Sequence, residues 1–190
     1  MATLPGVATI EEPLPLQLFA DFLENPEGHC FRLQAAILLG RAARFLQARR
    51  EHLTVFDRSP SEDLEIFIAL HRRNGYLNDE QVAILSCIAN GVNVVVGSPH
   101  AHVVLDADNE MLRARVAQRG APQWILDGLD TQFDLYRSWI GRIEGPILRI
   151  DTTQRDVSDI DSLATWILKT LPEAINGAFP EDSTLGLRWQ

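Results

Sequence analysis

The segment Thr54-Val-Phe-Asp-Arg-Ser-Pro-Ser-Glu-Asp63 carries the strongest structural signal in this chain. A short apolar run ends in Asp57-Arg58-Ser59, and two acidic residues open the helix-like segment that follows. In an α/β protein, polar side chains that follow a buried strand lie at the carboxyl edge of the sheet, where ligands bind. The segment therefore predicts an α/β protein with a ligand site directly after residue 56.

The rest of the chain alternates short β-prone runs with segments of helical periodicity. We predict strands at residues 7–10, 53–56, 102–106 and 146–150, and helices at residues 27–50, 62–74, 79–90, 109–118, 129–142 and 158–171. Residues 92–96 also resemble a strand, but we favour residues 102–106 as the one in the sheet. Strands separated by helices describe an open parallel sheet that is covered by helices on both faces.

Composition limits the classes of protein that fit this sequence. The 190 residues are 46% hydrophobic and 23% charged, which suits one domain over residues 1–177 with a loose tail over residues 178–190. A net charge of -9 argues against a nucleic-acid binder, because such proteins need a basic face. We find no membrane-spanning run and no signal peptide. The spacing of the two cysteines matches no metal site, which favours a reduced, cytoplasmic setting. We expect both cysteines to be buried apolar thiols.

Four short motifs, in this order, resemble the deoxynucleoside kinase family, in particular its bacterial deoxyadenosine and deoxyguanosine kinase branch. They are Glu11-Glu12-Pro13, Phe31-Arg-Leu-Gln34, Asp57-Arg-Ser59 with Asp63, and Arg113-Ala-Arg-Val-Ala-Gln-Arg119. The resemblance implies a three-layer parallel sheet of the P-loop kinase type. We expect its first strand and P-loop helix to be missing, because no Gly-x-x-x-x-Gly-Lys-Ser/Thr motif occurs and the one lysine is Lys169.

The resemblance also implies which residues would act on the 5′-hydroxyl of a deoxynucleoside. Glu12 would take the hydroxyl proton, although Glu11 and Glu12 could instead be solvated charges at a strand end. Arg58 would contact phosphate oxygens or brace Glu12. Asp57 is a weaker candidate, as a magnesium or water partner or as a residue that orients Arg58. ATP and Mg²⁺ are the cofactors that the family implies.

Two arginines in the fourth motif would close over the transferred phosphate. Arg115 and Arg119 match arginines of the family's lid, whereas Ala121 stands where the next family arginine is found. Leu23 replaces the tyrosine that holds the sugar 3′-hydroxyl in the family. Asp151 follows the last strand, where the family's adenine-binding loop begins, and is equally plausible as a turn or cap residue.

The candidate base-binding residues lie on two predicted helices. Gln34 and its neighbour Leu33 lie on a largely apolar helix, and the Gln34 amide could pair with a nucleobase edge or with nearby backbone. Asp63 and Phe67 are four residues apart and share a helix face. Asp63 could accept a hydrogen bond from an exocyclic amine while Phe67 stacks on the base. Because thymine has no such amine, an acid at Asp63 resembles the branch that uses purine deoxynucleosides or deoxycytidine, and we expect a purine deoxynucleoside to be favoured.

Two functions remain open from the sequence. The first is a deoxynucleoside kinase, provided that a P-loop precedes residue 1. The second is a catalytically inactive kinase-fold protein that binds a nucleoside or a protein partner. We expect the 190-residue chain as given not to turn over ATP at a kinase-like rate. We also expect a homodimer through helices 27–50 and 62–74, since the family pairs helices in this way and the first carries a wide apolar stripe.

Overall fold

The computed structural model describes residues 7–47 and 53–153. The strands are β1 (Val7–Ile10), β2 (Leu53–Phe56), β3 (His102–Asp106) and β4 (Ile147–Asp151). The helices are α1 (Leu16–Glu24), α2 (Pro26–Gln47), α3 (Pro60–Glu62), a π-helix (Asp63–Ile68), α4 (Ala69–Arg73), α5 (Asp79–Val96), α6 (Asn109–Gln118) and α7 (Gln123–Ile140). None of these helices combines the length and the apolar character of a membrane span.

The four described strands form two parallel pairs. In the first pair, Ile10 of β1 lies opposite Phe56 of β2, and in the second, Asp106 of β3 lies opposite Asp151 of β4. The prediction of an α/β fold with parallel strands is confirmed. Because parallel strands end at the same edge, the residues that follow Ile10 and Phe56 become neighbours. The single three-layer sheet with a missing first strand stays a prediction.

The chain divides into two compact units. The first comprises residues 1–98 and 121–142, and the second comprises residues 99–120 and 143–190. The first unit contains the β1–β2 pair with α1 to α5 and α7, and the second contains the β3–β4 pair with α6. The single domain over residues 1–177 stays a prediction. The predicted helix at residues 158–171 and the tail at residues 178–190 lie outside the described residues.

The helices differ from the predicted ones mainly in where they begin and end. α5 continues through Gly91 to Val96, so residues 92–96 are helical. Residues 102–106, which we favoured over residues 92–96, form the strand. The helix ends instead at Gly97, whose φ of 79° is accessible to glycine at little cost. α7 begins directly after Pro122, earlier than predicted.

The core of the first unit lies between α1, α2 and α5. Its buried members are Phe22, Cys30, Leu33, Ile37, Leu38, Ile68, Leu77, Leu85 and Ala89. Burial raises the pKa of the Cys30 thiol to about 12, so this cysteine acts as an apolar packing residue. Cys87 is exposed, so the expectation of a buried thiol is wrong at that position.

Gly40 allows the segment after β1 to lie against α2. A Cβ atom added to Gly40 would lie only 2.8 Å from Pro13 Cβ. On the next turn of the same helix, Arg44 Nη1 donates a hydrogen bond to the carbonyl oxygen of Glu11 at 2.8 Å. These two contacts hold residues 11–13 against α2, which fixes the position of Glu12.

We predict that Gly40→Ala destabilises the protein by about 1–3 kcal/mol, because the new methyl group overpacks the contact with Pro13. Gly91→Ala is the matched control, since Gly91 is also inside a helix but an added Cβ would meet no atom within 4 Å. This control should gain about 0.5–1 kcal/mol from helix propensity. Urea unfolding measures the free energy of unfolding of both variants. A gain in stability in both would contradict the close contact between Gly40 and Pro13.

A second feature of this core is a histidine buried among aromatic rings. His71 of α4 packs against Phe22, with ring centroids 5.2 Å apart, and against Tyr76 at 6.0 Å. Its Nδ1 atom has no hydrogen-bond partner in the described part of the chain. Burial among aromatic rings lowers the pKa of His71 to about 4, because the protonated ring loses its hydration there.

We predict that the free energy of unfolding falls as the pH drops from about 6.5 to about 4. Over this pH range the unfolded state binds a proton at His71 and the folded state does not, which lowers the free energy of unfolding by about 3 kcal/mol. His71→Leu should remove this part of the pH dependence, whereas His100→Gln, at an exposed histidine, should keep it. Urea unfolding at a series of pH values measures this, and equal slopes for wild type and His71→Leu would refute it.

Candidate functional site

The carboxyl ends of β1 and β2 bring Glu12 and Arg58 into direct contact. Arg58 Nη1 donates a hydrogen bond to Glu12 Oε1 at 2.7 Å. A second guanidinium lies nearby, since Arg41 Nη2 is 3.8 Å from the same carboxylate oxygen. The neighbouring Glu11 is exposed. Glu12, rather than Glu11, therefore carries the carboxylate that faces these arginines.

Arg58 adopts an unusual backbone conformation. Its φ of 66° is the one positive φ of a non-glycine residue in the described chain, and such a conformation costs about 1–3 kcal/mol. The guanidinium lies over the Phe67 ring, 4.4 Å from its centroid, in a cation–π contact. Burial alone would lower the pKa of Arg58, but Glu12 and other nearby acidic groups raise it, so the side chain stays charged.

Arg41 of α2 and Asp63 of the π-helix form a buried ion pair, and each side chain is only 1% exposed. Arg41 Nε donates to Asp63 Oδ2 at 2.8 Å, and Nη2 donates to Oδ1 at 3.0 Å. Arg41 Nη1 donates to the carbonyl oxygen of Asp57 at 2.7 Å. Burial raises the pKa of Asp63, and the charge of Arg41 opposes that shift. Such bidentate pairs hold both side chains in one orientation.

Arg41 is the residue of this cluster that sequence reasoning missed. The signal available was its spacing from Gln34, because seven residues are close to two turns of an α-helix and place both on one face of α2. Gln34 is itself buried, as a base-reading residue on that face would be. Leu33 belongs to the hydrophobic core between the helices, and its contact with a substrate stays a prediction.

The two candidate lid arginines lie in the second unit. Arg115 Nη1 donates to Thr152 Oγ1 at 3.0 Å, and Nη2 donates to the Thr152 carbonyl oxygen at 2.7 Å. Thr152 is buried, and its hydroxyl donates to the carbonyl oxygen of Asp106 at 2.8 Å. Arg115 therefore ties the end of β4 to α6. Arg119 is exposed at the end of α6, and the lid roles of both arginines stay predictions.

The two remaining predicted positions are Asp151 and Asp57. Asp151 Oδ1 accepts a hydrogen bond from the Thr153 amide at 2.8 Å, which is a turn contact. Asp57 is exposed. Within residues 7–47 and 53–153, no group of three or more His, Cys, Asp or Glu could hold a metal ion. Magnesium is often held by one or two carboxylates together with phosphates and water. The metal role of Asp57 and the cofactor role of Asp151 stay predictions.

We predict that Asp63→Asn destabilises the protein by about 3–5 kcal/mol, because it removes the carboxylate that accepts two short hydrogen bonds from Arg41 and leaves this buried charge only the more distant Glu12. Asp79→Asn is the matched control, since Asp79 pairs with Arg72 at 2.9 Å but is 85% exposed. The control should change stability by about 1 kcal/mol or less. Chemical denaturation compares the two, and equal losses would contradict the structural importance of the buried pair.

Comparison with known proteins identifies a family for this chain. A sequence profile described as deoxynucleoside kinase matches residues 7–175. No curated protein matched the chain. The matched range contains both strand pairs and every residue of the cluster around Arg41 and Arg58. The chain therefore belongs to the deoxynucleoside kinase family.

Proposed function

We propose that the first unit binds a deoxynucleoside, with the base at Gln34 and Asp63 and the 5′-hydroxyl at Glu12. The observation that supports this most directly is the single cluster formed by Glu12, Arg58, Arg41 and Asp63. One end of it, at Asp63, can recognise a base, and the other, at Glu12, can approach a hydroxyl group. Membership of the deoxynucleoside kinase family supports the same class of ligand.

The base-recognition end favours a base with an exocyclic amine. An ionised carboxylate can accept about four hydrogen bonds, and Asp63 uses one on each oxygen for Arg41. Asp63 can therefore accept another from the amine of a purine, while Gln34 offers a donor and an acceptor. Thymine would place a carbonyl group against the carboxylate instead. This contact would separate bases that carry an exocyclic amine from thymine. Among the amine-bearing bases we propose a purine, in deoxyadenosine or deoxyguanosine, because the motifs resemble the bacterial purine branch of the family.

At the other end, Glu12 would accept the proton of the 5′-hydroxyl as its oxygen attacks a phosphoryl group. Arg58, which already contacts Glu12, would turn toward the developing negative charge. ATP with Mg²⁺ would supply the phosphoryl group, as in nucleoside kinases generally. We propose that this transfer needs a phosphate-binding loop preceding residue 1. Without such a loop, the same site would bind a nucleoside and leave it unchanged.

Titration calorimetry with the four deoxynucleosides tests the proposed site. We expect deoxyadenosine or deoxyguanosine to bind about 5- to 150-fold more tightly than thymidine, which corresponds to one unpaired buried acceptor at about 1–3 kcal/mol. Gln34→Ala and Asp63→Ala should each reduce this preference, whereas Asp79→Ala, on the exposed pair, should not. Equal binding of thymidine and deoxyadenosine would contradict the proposal. No heat with any nucleoside would favour a scaffold that binds a protein partner.

We also propose a homodimer, with α2 and α5 at its interface. Large apolar side chains are exposed on both helices, at Leu39, Leu46, Ile84, Val94 and Val95. The second helix that the sequence suggested, residues 62–74, has its large aliphatic residues Ile66, Ile68 and Leu70 buried inside its own unit. We therefore propose α5, rather than residues 62–74, as the second helix of the interface. An exposed apolar surface of this kind often marks a protein–protein contact.

Light scattering coupled to gel filtration tests the dimer. We expect the wild type to show twice the chain mass of 21.3 kDa, and the double variant Leu46→Glu with Val94→Glu to show the chain mass itself. Leu16→Glu is the control, because Leu16 is 76% exposed but lies on α1. A wild-type mass of one chain, or a dimer that survives both glutamates, would exclude this interface.

A further inference from the structure

The cluster around Arg58 contains a second carboxylate, Glu62, that lies farther from the guanidinium than Glu12 does. Arg41 is committed to Asp63, which leaves Arg58 between Glu12 and Glu62. Arg58 Nη1 is 2.7 Å from Glu12 Oε1, but Arg58 Nε is 3.9 Å from Glu62 Oε1. The two carboxylates therefore share one guanidinium unequally, and Glu12 holds it more closely.

Tyr136 of α7 supplies the hydrogen bond that Glu62 lacks. Its hydroxyl donates to Glu62 Oε1 at 2.6 Å, the same oxygen that lies near Arg58. The ring packs against a second cluster of buried residues, Ile66, Leu70 and Leu135. It also contacts Trp139 edge to face, with centroids 6.3 Å apart. Packing therefore fixes the ring with its hydroxyl directed at Glu62.

The protonation of this pair is consistent with a neutral tyrosine that donates. Burial raises the pKa of Tyr136, and the nearby carboxylate of Glu62 raises it further. Burial also raises the pKa of Glu62, while the hydrogen bond from Tyr136 and the charge of Arg58 oppose that shift. The hydroxyl proton thus stays on Tyr136 at neutral pH, and Glu62 is stabilised by acceptance of a hydrogen bond rather than by a full ion pair.

We propose that Glu62 and Tyr136 form a positioning pair for Arg58. By satisfying the Glu62 carboxylate, Tyr136 prevents it from drawing Arg58 away from Glu12 and from the Phe67 ring. Neither residue needs to touch a ligand for this. That Arg58, positioned in this way, serves a bound nucleoside rests on the proposed function. The positioning of Arg58 by Glu62 and Tyr136 does not.

The pair also explains why the strained backbone of Arg58 is maintained. The Arg58 backbone has a positive φ, and three contacts hold its side chain in place: Glu12, the Phe67 face and, more weakly, Glu62. Without the Tyr136 hydroxyl, the mostly buried Glu62 carboxylate would lack this hydrogen-bond donor. Arg58 Nε, 3.9 Å from Glu62 Oε1, could then take its place. A small rotation of the Arg58 side chain would then replace its hydrogen bond to Glu12 with a hydrogen bond to Glu62.

Arginine side-chain NMR can follow this exchange in the ligand-free protein. The Nε–H signal of Arg58 is assigned by its loss in Arg58→Lys, and it should be shifted upfield because the group lies over the Phe67 ring. We expect Tyr136→Phe to shift this signal downfield, as Arg58 leaves the ring. Adding Glu62→Gln to Tyr136→Phe should restore it, because a neutral amide does not attract the guanidinium. Tyr76→Phe, in another aromatic cluster, should leave it unchanged.

The outcomes separate positioning from a purely structural role. A packing defect would not be rescued by a second substitution, so failure of Glu62→Gln to restore the signal would overturn the proposal. An unchanged signal in Tyr136→Phe would do the same. Glu62→Gln alone gives an independent test if Tyr136→Phe does not fold. It should leave Arg58 on Glu12, and loss of the upfield shift would show that Glu62 itself holds the arginine. The Arg41 Nε–H signal reports an intact site throughout.

Discussion

The guanidinium of Arg41 makes three short hydrogen bonds in the interior of the first unit, two to the Asp63 carboxylate and one to the carbonyl oxygen of Asp57. These bonds join α2, the π-helix and the end of β2. Charges this deeply buried are tolerated only when every donor finds an acceptor. The ion pair therefore constrains the relative position of three elements, and the orientation of the candidate site depends on it.

The irregular parts of the backbone lie next to this pair. The helical segment after β2 begins with α3 and continues as a π-helix from Asp63, and Arg58 has a positive φ just before α3. Both conformations are less favourable than regular structure, and both are frequent at functional sites. Here they direct Asp63 toward Arg41 and Arg58 toward Glu12. The stability that such conformations cost is offset by the packed core between α1, α2 and α5.

Local sequence signals were enough to predict much of the fold. The bounds of β1, β2, β3 and α6 follow from short apolar runs and turn residues, and the structure has the same bounds. The end of α5 was not predictable in this way, because Gly91 is a helix breaker by propensity alone. The observed helix passes through it and ends at Gly97, showing that context outweighs a cost of about 1 kcal/mol.

The site was predictable only in part, for a related reason. Glu12, Arg58 and Asp63 stand out because polar residues follow strands, but Arg41 and Tyr136 act through partners 22 and 74 residues away in the sequence. The seven-residue spacing from Gln34 places Arg41 on the same helix face, but it does not identify the residue that Arg41 binds. The pairings of Arg115 with Thr152 and of Tyr136 with Glu62 likewise arise from tertiary structure. Sequence motifs thus identify candidate residues, and packing decides which of them meet.

We propose that the cluster between Gln34 and Glu12 is a nucleoside site, and a crystal structure of the protein with deoxyadenosine tests this proposal. We expect the base within hydrogen-bonding distance of Gln34 and Asp63, and the 5′-hydroxyl within hydrogen-bonding distance of Glu12. A nucleoside bound elsewhere, or one in this cluster with its sugar at Asp63 and its base at Glu12, would contradict it.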